Sequence, residues 1–234
     1  MPIGIQASPV QSKQQKVDTE EKIDQILTET EGQGRFKYFA AVAITASMTG
    51  CDFIYMNLAY LVQEPVYQCK FAGREDWQSC TEDDFCGNMI EQPDVEWRVD
   101  WNDRRSIHNW RERLSLTCAS KFRIDLLLWA WLIGIAITTL WVPRLADKMS
   151  RKQFTGFAVI FDFAMYTALL FAESYALMVF VLLCLGLTNP IRVQIGWVYL
   201  LELVSTDYQP MVGTIYAVFD ASIAFTSTIF FWYS

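Results

Sequence analysis

Histidine occurs once in the 234 residues, at His108 in a loop, so Ser-His or Cys-His nucleophilic chemistry has little to build on. A Gly-rich phosphate loop, His-Glu-x-x-His and Gly-x-Ser-x-Gly are all missing, and the chain reads as one without catalytic residues. Cys-x-x-Cys is missing as well, which with a lone histidine leaves no metal-ligand spacing and no cofactor to expect. No basic patch interleaved with aromatics occurs, so nucleic acid is not an expected partner. Asn-x-Ser/Thr is also absent, which removes any sequence support for N-glycosylation.

What is abundant is apolar, and it is gathered into blocks. Residues 38–62 carry one charge, Asp52, and 126–142 carry none. Residues 154–172 carry only Asp162; 175–203 carry Arg192 and, near the end, Glu202; 212–233 carry Asp220. Each block approaches or exceeds the roughly 20 residues a helix needs to cross a bilayer. A buried helix in a soluble protein rarely stays apolar all round for that length. The expectation is an all-α membrane protein with five transmembrane helices and the lipid bilayer as its solvent. The first block starts too late and runs too long for a cleaved signal peptide.

Charge sets the orientation. The stretch 143–152 holds Arg144, Lys148, Arg151 and Lys152 against Asp147, a net of +3, whereas 63–120 has seven Lys/Arg and twelve Asp/Glu, a net of −5. Basic short loops stay on the cytoplasmic side, so the N-terminus is expected inside and the long loop outside, in a plasma or organelle membrane. The organisation read from this is a tail over 1–37, a first span over 38–62 and an extracytoplasmic loop over 63–122. Spans two to five follow over 123–234, with a cytoplasmic loop at 143–153. Within the tail, Asp18-Thr19-Glu20-Glu21 reads as a capped helix start followed by an apolar stripe of Ile23, Ile26 and Leu27, a short amphipathic helix at the membrane surface.

The outer loop contains Cys69, Cys80, Cys86 and Cys118. An even number in an oxidising compartment points to two disulfides, with three connectivities open. Trp77, Trp97, Trp101 and Trp110 in the same loop point to a small folded cap. Cys51 and Cys184 lie in spans and read as packing residues.

Charges inside spans face a bundle interior or a watery cavity, because lipid penalises them by several kcal/mol. Asp52, Arg192 and Asp220 are therefore the candidate substrate or ion pathway. With the fourth span running inward and the fifth outward, Arg192 and Asp220 reach similar depths and could pair, either around a ligand or to fix helix register. Asp162, between Phe161 and Phe163, reads as a packed interior site. Asn189-Pro190 lies just before Arg192, and an interrupted helix beside a charge is a common address for a transporter's binding site; a packing kink is the plain alternative.

Several features then coincide in order: Gly34-Arg35-Phe36 before the first span, Pro65-x-x-x-Cys69 after it, and Leu116-Thr117-Cys118 before the second. Leu145-Ala146-Asp147-Lys148-Met149-Ser150-Arg151-Lys152 follows between the second and third, and Tyr199-Leu200-Leu201-Glu202 ends the fourth. The set resembles the N-terminal half of a major facilitator superfamily transporter, in the organic cation/anion transporter branch. The resemblance implies a gating charge network of Asp147, Lys148, Arg151, Lys152 and Glu202 that latches the cytoplasmic side. It also implies a disulfide-held cap over the outer opening. It further implies a secondary transporter moving a small organic solute by alternating access, with H+ or another coupling ion, and with a C-terminal half or other membrane subunits as partners. Three acids against one cation lean the solute toward a cation. Pro143, Ser150 and Gln209-Pro210 depart from the family's glycines and its arginine–glycine pair. A chain ending at Ser234 supplies five of the twelve helices the fold needs. The competing expectation is a transport-inactive, transporter-derived structural subunit of a membrane assembly.

Overall fold

The computed structural model describes residues 22, 26, 34–50, 52–71, 73, 75–86, 95–146 and 150–233. Of the expected amphipathic N-terminal helix only Lys22 and Ile26 are among them, both helical; the rest lies outside the described residues.

The molecule is mostly helical, and four helices are long and apolar enough to cross a membrane: Lys121–Val142, Arg151–Phe171, Tyr175–Glu202 and Thr206–Tyr233. The first apolar block is not a single helix. It forms α1 (Gly34–Thr49) and α2 (Asp52–Leu61), separated at a turn on Gly50. Thr49 contributes to that ending, since its hydroxyl donates to the Thr45 carbonyl at 3.1 Å and competes for the helix's own acceptors. Neither piece alone has the length of a span.

The segment expected outside, 63–122, departs from the all-α expectation. Strands β1 (Tyr67–Lys70), β2 (Gln78–Cys80) and β3 (Glu96–Val99) form an antiparallel sheet in the order β2-β1-β3, with α3 (Glu82–Cys86) following β2. Strand β1 alternates, placing Tyr67 and Cys69 in the interior with Phe85, while Gln68 and Lys70 stay half-exposed. Both expected disulfides are present, as Cys69–Cys80 and Cys86–Cys118. The first ties β1 to β2; the second ties α3 to the turn before the next long helix.

The cap is fastened to helix ends. In α4 (Trp110–Arg113), the N-cap Asn109 accepts from the Arg111 amide at 3.0 Å while its Nδ2 donates to the Gln63 carbonyl at 2.8 Å, just past α2. Arg113 donates to the Leu170 carbonyl at 2.7 Å. Buried Arg111 holds Glu82 through two nitrogens, and Glu82 in turn accepts from the Tyr67 hydroxyl at 2.9 Å. Burial, and then the carboxylate of Glu82, push the Tyr67 phenol up to about 12.

The remaining helices are α5 (Lys121–Ala146), α6 (Arg151–Phe171), α7 (Tyr175–Pro190), the short α8 (Gly196–Glu202) and α9 (Gln209–Tyr233). Between α7 and α8 lies a π-helical turn, Ile191–Ile195. The closest pair is α5 with α7, where a Cβ on Gly134 would lie 2.6 Å from the Leu183 carbonyl oxygen. Around that contact Leu127, Trp131, Met178, Leu182 and Leu185 are fully buried. Helix α9 packs on α1 and α2, and the Asn57 amide donates to the Ser227 hydroxyl at 3.0 Å across that contact. Large apolar side chains elsewhere point outward, including Phe157, Ile160 and Phe163 on α6 and Phe225, Phe230 and Trp232 on α9. Apolar surface on this scale fits lipid or further helices, not water.

Candidate functional site

Pro190 has no amide proton to give, so the backbone around it cannot keep α-helical bonding. The chain adapts by widening into the π-helical turn instead of breaking, and then resumes as α8. Such turns insert a residue into the helical repeat and often sit at functional positions. Here the turn carries Arg192.

Arg192 is 4% exposed, and the partner of its Nε is the carboxylate of Asp162 on α6. Asp162 is buried as well and accepts from the Thr188 hydroxyl, one helical turn before Arg192. Nη1 of Arg192 donates to the Ser47 carbonyl on α1 at 3.0 Å. Three helical segments thus converge on one guanidinium. Its Nη2 is buried without a hydrogen-bond partner among the described residues.

The pairing of Arg192 with Asp220 is therefore corrected: the acid is Asp162. Asp220 lies half-buried in α9 and makes no hydrogen bond or ion pair among the described residues. Depth along a span places a charge on one axis only; which helix it faces depends on rotation, and the π turn resets that rotation. The missed signal was the Thr188/Arg192 spacing, which puts a hydroxyl and a cation on one helix face for the acid of a neighbour. Asp52 stands at the first position of α2, after the turn.

Two clefts meet at this cation. One, of about 520 Å³, is lined by Gly50, Phe53, Asp162, Phe163, Tyr166 and Arg192 among others. The other, of about 460 Å³, runs from Arg192 along α6 to Lys152, past Thr155 and Gly156. Ser47, Val159 and Arg192 border both.

At the far end of α6, Arg151 pairs with Glu202 at the end of α8. Two of the residues assigned to the gating network are thus brought together, in an exposed pair that carries little stability by itself. Lys152 is exposed beside them and lines the second cleft. Asp147 and Lys148 lie outside the described residues. Among the described residues no group of acidic, histidine or cysteine side chains could hold a metal ion. Cys184 is buried and free, whereas Cys51 lies outside the described residues.

No protein-family model, curated protein or solved structure matches the chain. The reading of function therefore rests on geometry.

Proposed function

We propose that the chain is the N-terminal bundle of a major-facilitator-type secondary transporter, moving a small organic solute by alternating access. In this reading α1 and α2 together make a fifth span, discontinuous at Gly50. The N-terminus and the Arg151 end of α6 are cytoplasmic, and the cap is outside. The observation that carries it is the buried Arg192–Asp162 pair, held on a π turn at the meeting point of two clefts. Burying that pair in an apolar bundle only for stability is a poor use of it, since a hydrophobic pair of similar volume would serve at least as well. Placed between clefts, the same pair can exchange one partner for a ligand. The Arg151–Glu202 contact supports a latch, because it joins the ends of two helices through an exposed bond that is easily opened and remade. Asp162 is occupied by Arg192, which removes one of the three acids that leaned the solute toward a cation.

The test is uptake into proteoliposomes holding the chain together with the C-terminal half that this reading requires, with radiolabelled choline and benzoate as cationic and anionic probes. Uptake of one probe is expected, lost in Arg151→Glu and restored in Arg151→Glu/Glu202→Arg. No uptake of either probe, or uptake indifferent to the charge reversal, overturns the reading.

A further inference from the structure

The two bridges of the cap sit in different surroundings. Cys69 is fully buried with Tyr67 and Phe85, and Cys80 is half-buried beside it on β2. Cys118 is exposed, and its partner Cys86 is half-buried at the last position of α3. The first bridge joins two strands that their backbones already pair, with Tyr67 opposite Cys80 and Cys69 opposite Gln78. The second joins α3 to the turn that leads from α4 into α5.

That turn has a distinctive backbone. Ser115 and Cys118 have φ of 50° and 63°, and among the described residues no other residue with a side chain has positive φ. A Cβ in the left-handed region crowds the following carbonyl, so the conformation persists only where the surroundings impose it. Here the Leu116 amide donates to the Arg111 carbonyl at 2.8 Å and the Ala119 amide to the Leu116 carbonyl at 2.9 Å, while the bridge pins Cys118 covalently.

We propose that Cys86–Cys118 is a reversible thiol–disulfide switch between cap and bundle, opened by an external dithiol, and that Cys69–Cys80 is a permanent structural bond. Exposed or strained disulfides are the more easily reduced ones. A thiolate of the dithiol attacks the Cys118 sulfur; a mixed disulfide forms, and the Cys86 sulfur leaves as a thiolate and takes up a proton. The second thiol of the dithiol, as its thiolate, then displaces the Cys118 sulfur, which is protonated in turn. The dithiol ends as a disulfide, having given two electrons to the bridge. Once released, the 115–118 turn leaves its left-handed backbone, and the hydrogen bonds of Leu116 and Ala119 open with it. The tie from α3 to the start of α5 is lost, whereas the Asn109–Gln63 and Arg113–Leu170 bonds keep the cap attached. The switch goes beyond the transport reading and takes from it only the placement of 63–122 on an oxidising side of the membrane.

The experiment titrates the full chain, native in a neutral detergent, with dithiothreitol, traps free thiols with iodoacetamide and reads each cysteine by peptide mass spectrometry. Cys86 and Cys118 are expected to be alkylated together, at about tenfold less dithiothreitol than Cys69 and Cys80. Across that window the Leu116 and Ala119 amides lose hydrogen-exchange protection, and oxidised glutathione restores both the bridge and the protection. The proposal is overturned if Cys69 and Cys80 open first or at the same midpoint, or if none of the four reacts short of denaturation. It is also overturned if reduction leaves the Leu116 and Ala119 amides protected, or if oxidised glutathione does not re-form the bridge. None of these outcomes bears on uptake, so the transport reading stands or falls separately.

Discussion

Replacing Gly186 by alanine probes the contact on which the long helices depend. A Cβ built there would overlap the Trp131 carbonyl oxygen and lie 3.0 Å from its carbonyl carbon and 3.1 Å from its Cα. Carbon atoms prefer about 3.5–4.0 Å, and every clashing atom is backbone, so no side chain can swing away. Helices α5 and α7 must then move apart by about 1 Å. A gap of that size forfeits a quarter to a half of the dispersion attraction along the seam, where Leu127, Trp131, Leu182 and Leu185 are fully buried. Overpacking usually destabilises by about 1–3 kcal/mol, and a backbone-limited clash belongs at the top of that range, about 3 kcal/mol. For a chain of this size that corresponds to a fall in Tm of roughly 6–12 °C. Gly156→Ala is the internal control: its Cβ meets nothing within 4 Å, so it gains up to about 1 kcal/mol of helix propensity and should melt no lower than the parent. Thermal unfolding in detergent, followed by circular dichroism, reads both. A Gly186→Ala protein that melts with or above Gly156→Ala would refute the close approach of the two helices.

Removing either member of the Arg192–Asp162 pair strands the other in the interior. Arg192→Met and Asp162→Leu should each lose about 3–5 kcal/mol, while the double variant recovers most of that; additive losses in chemical denaturation would deny the coupling. In the cap, the Cys86–Cys118 bridge spans 32 residues and Cys69–Cys80 spans 11, which corresponds to loop-entropy contributions of about 4 and about 3 kcal/mol. Hydrogen exchange of the cap should therefore accelerate more in Cys86→Ser than in Cys69→Ser, and the reverse order would contradict the assignment. The Asp103 carboxyl is held down to about 2 by Arg105, first through its side chain and then through its amide. A depressed acid stabilises above its unfolded value and loses that contribution as it protonates. Exchange protection of the Arg105 and Ser106 amides should thus persist above about pH 4 and disappear as the pH falls toward 2. Protection unchanged across that window would exclude the turn.

The long apolar blocks made the four span-length helices legible, because a helix that crosses lipid must be apolar over most of its length whatever it packs against. The interruption of the first block was not legible: Gly50-Cys51-Asp52 carries no proline and no charge run, and the chain turns there through a glycine and a back-bonding threonine. Two disulfides could be expected from four cysteines in one outer loop, but their pairing could not, since it follows from the register that sets β1 beside β2. The strands were hidden for a related reason. They are three or four residues long, shorter than the periodicity needs to declare itself. Arg192 was singled out by the penalty lipid puts on charge, whereas its partner was not, because hydropathy reports depth and is blind to rotation.

Asn109 and Arg113 stand four residues apart, yet one grips the chain leaving α2 and the other the last turn of α6. A single short helix is thereby riveted to two separate columns of the bundle. The cap therefore shares its footing with both columns, through the Gln63 and Leu170 carbonyls. If the bundle rocks as proposed, a binder raised against the folded cap should slow it through these two attachments, Asn109 to Gln63 and Arg113 to Leu170.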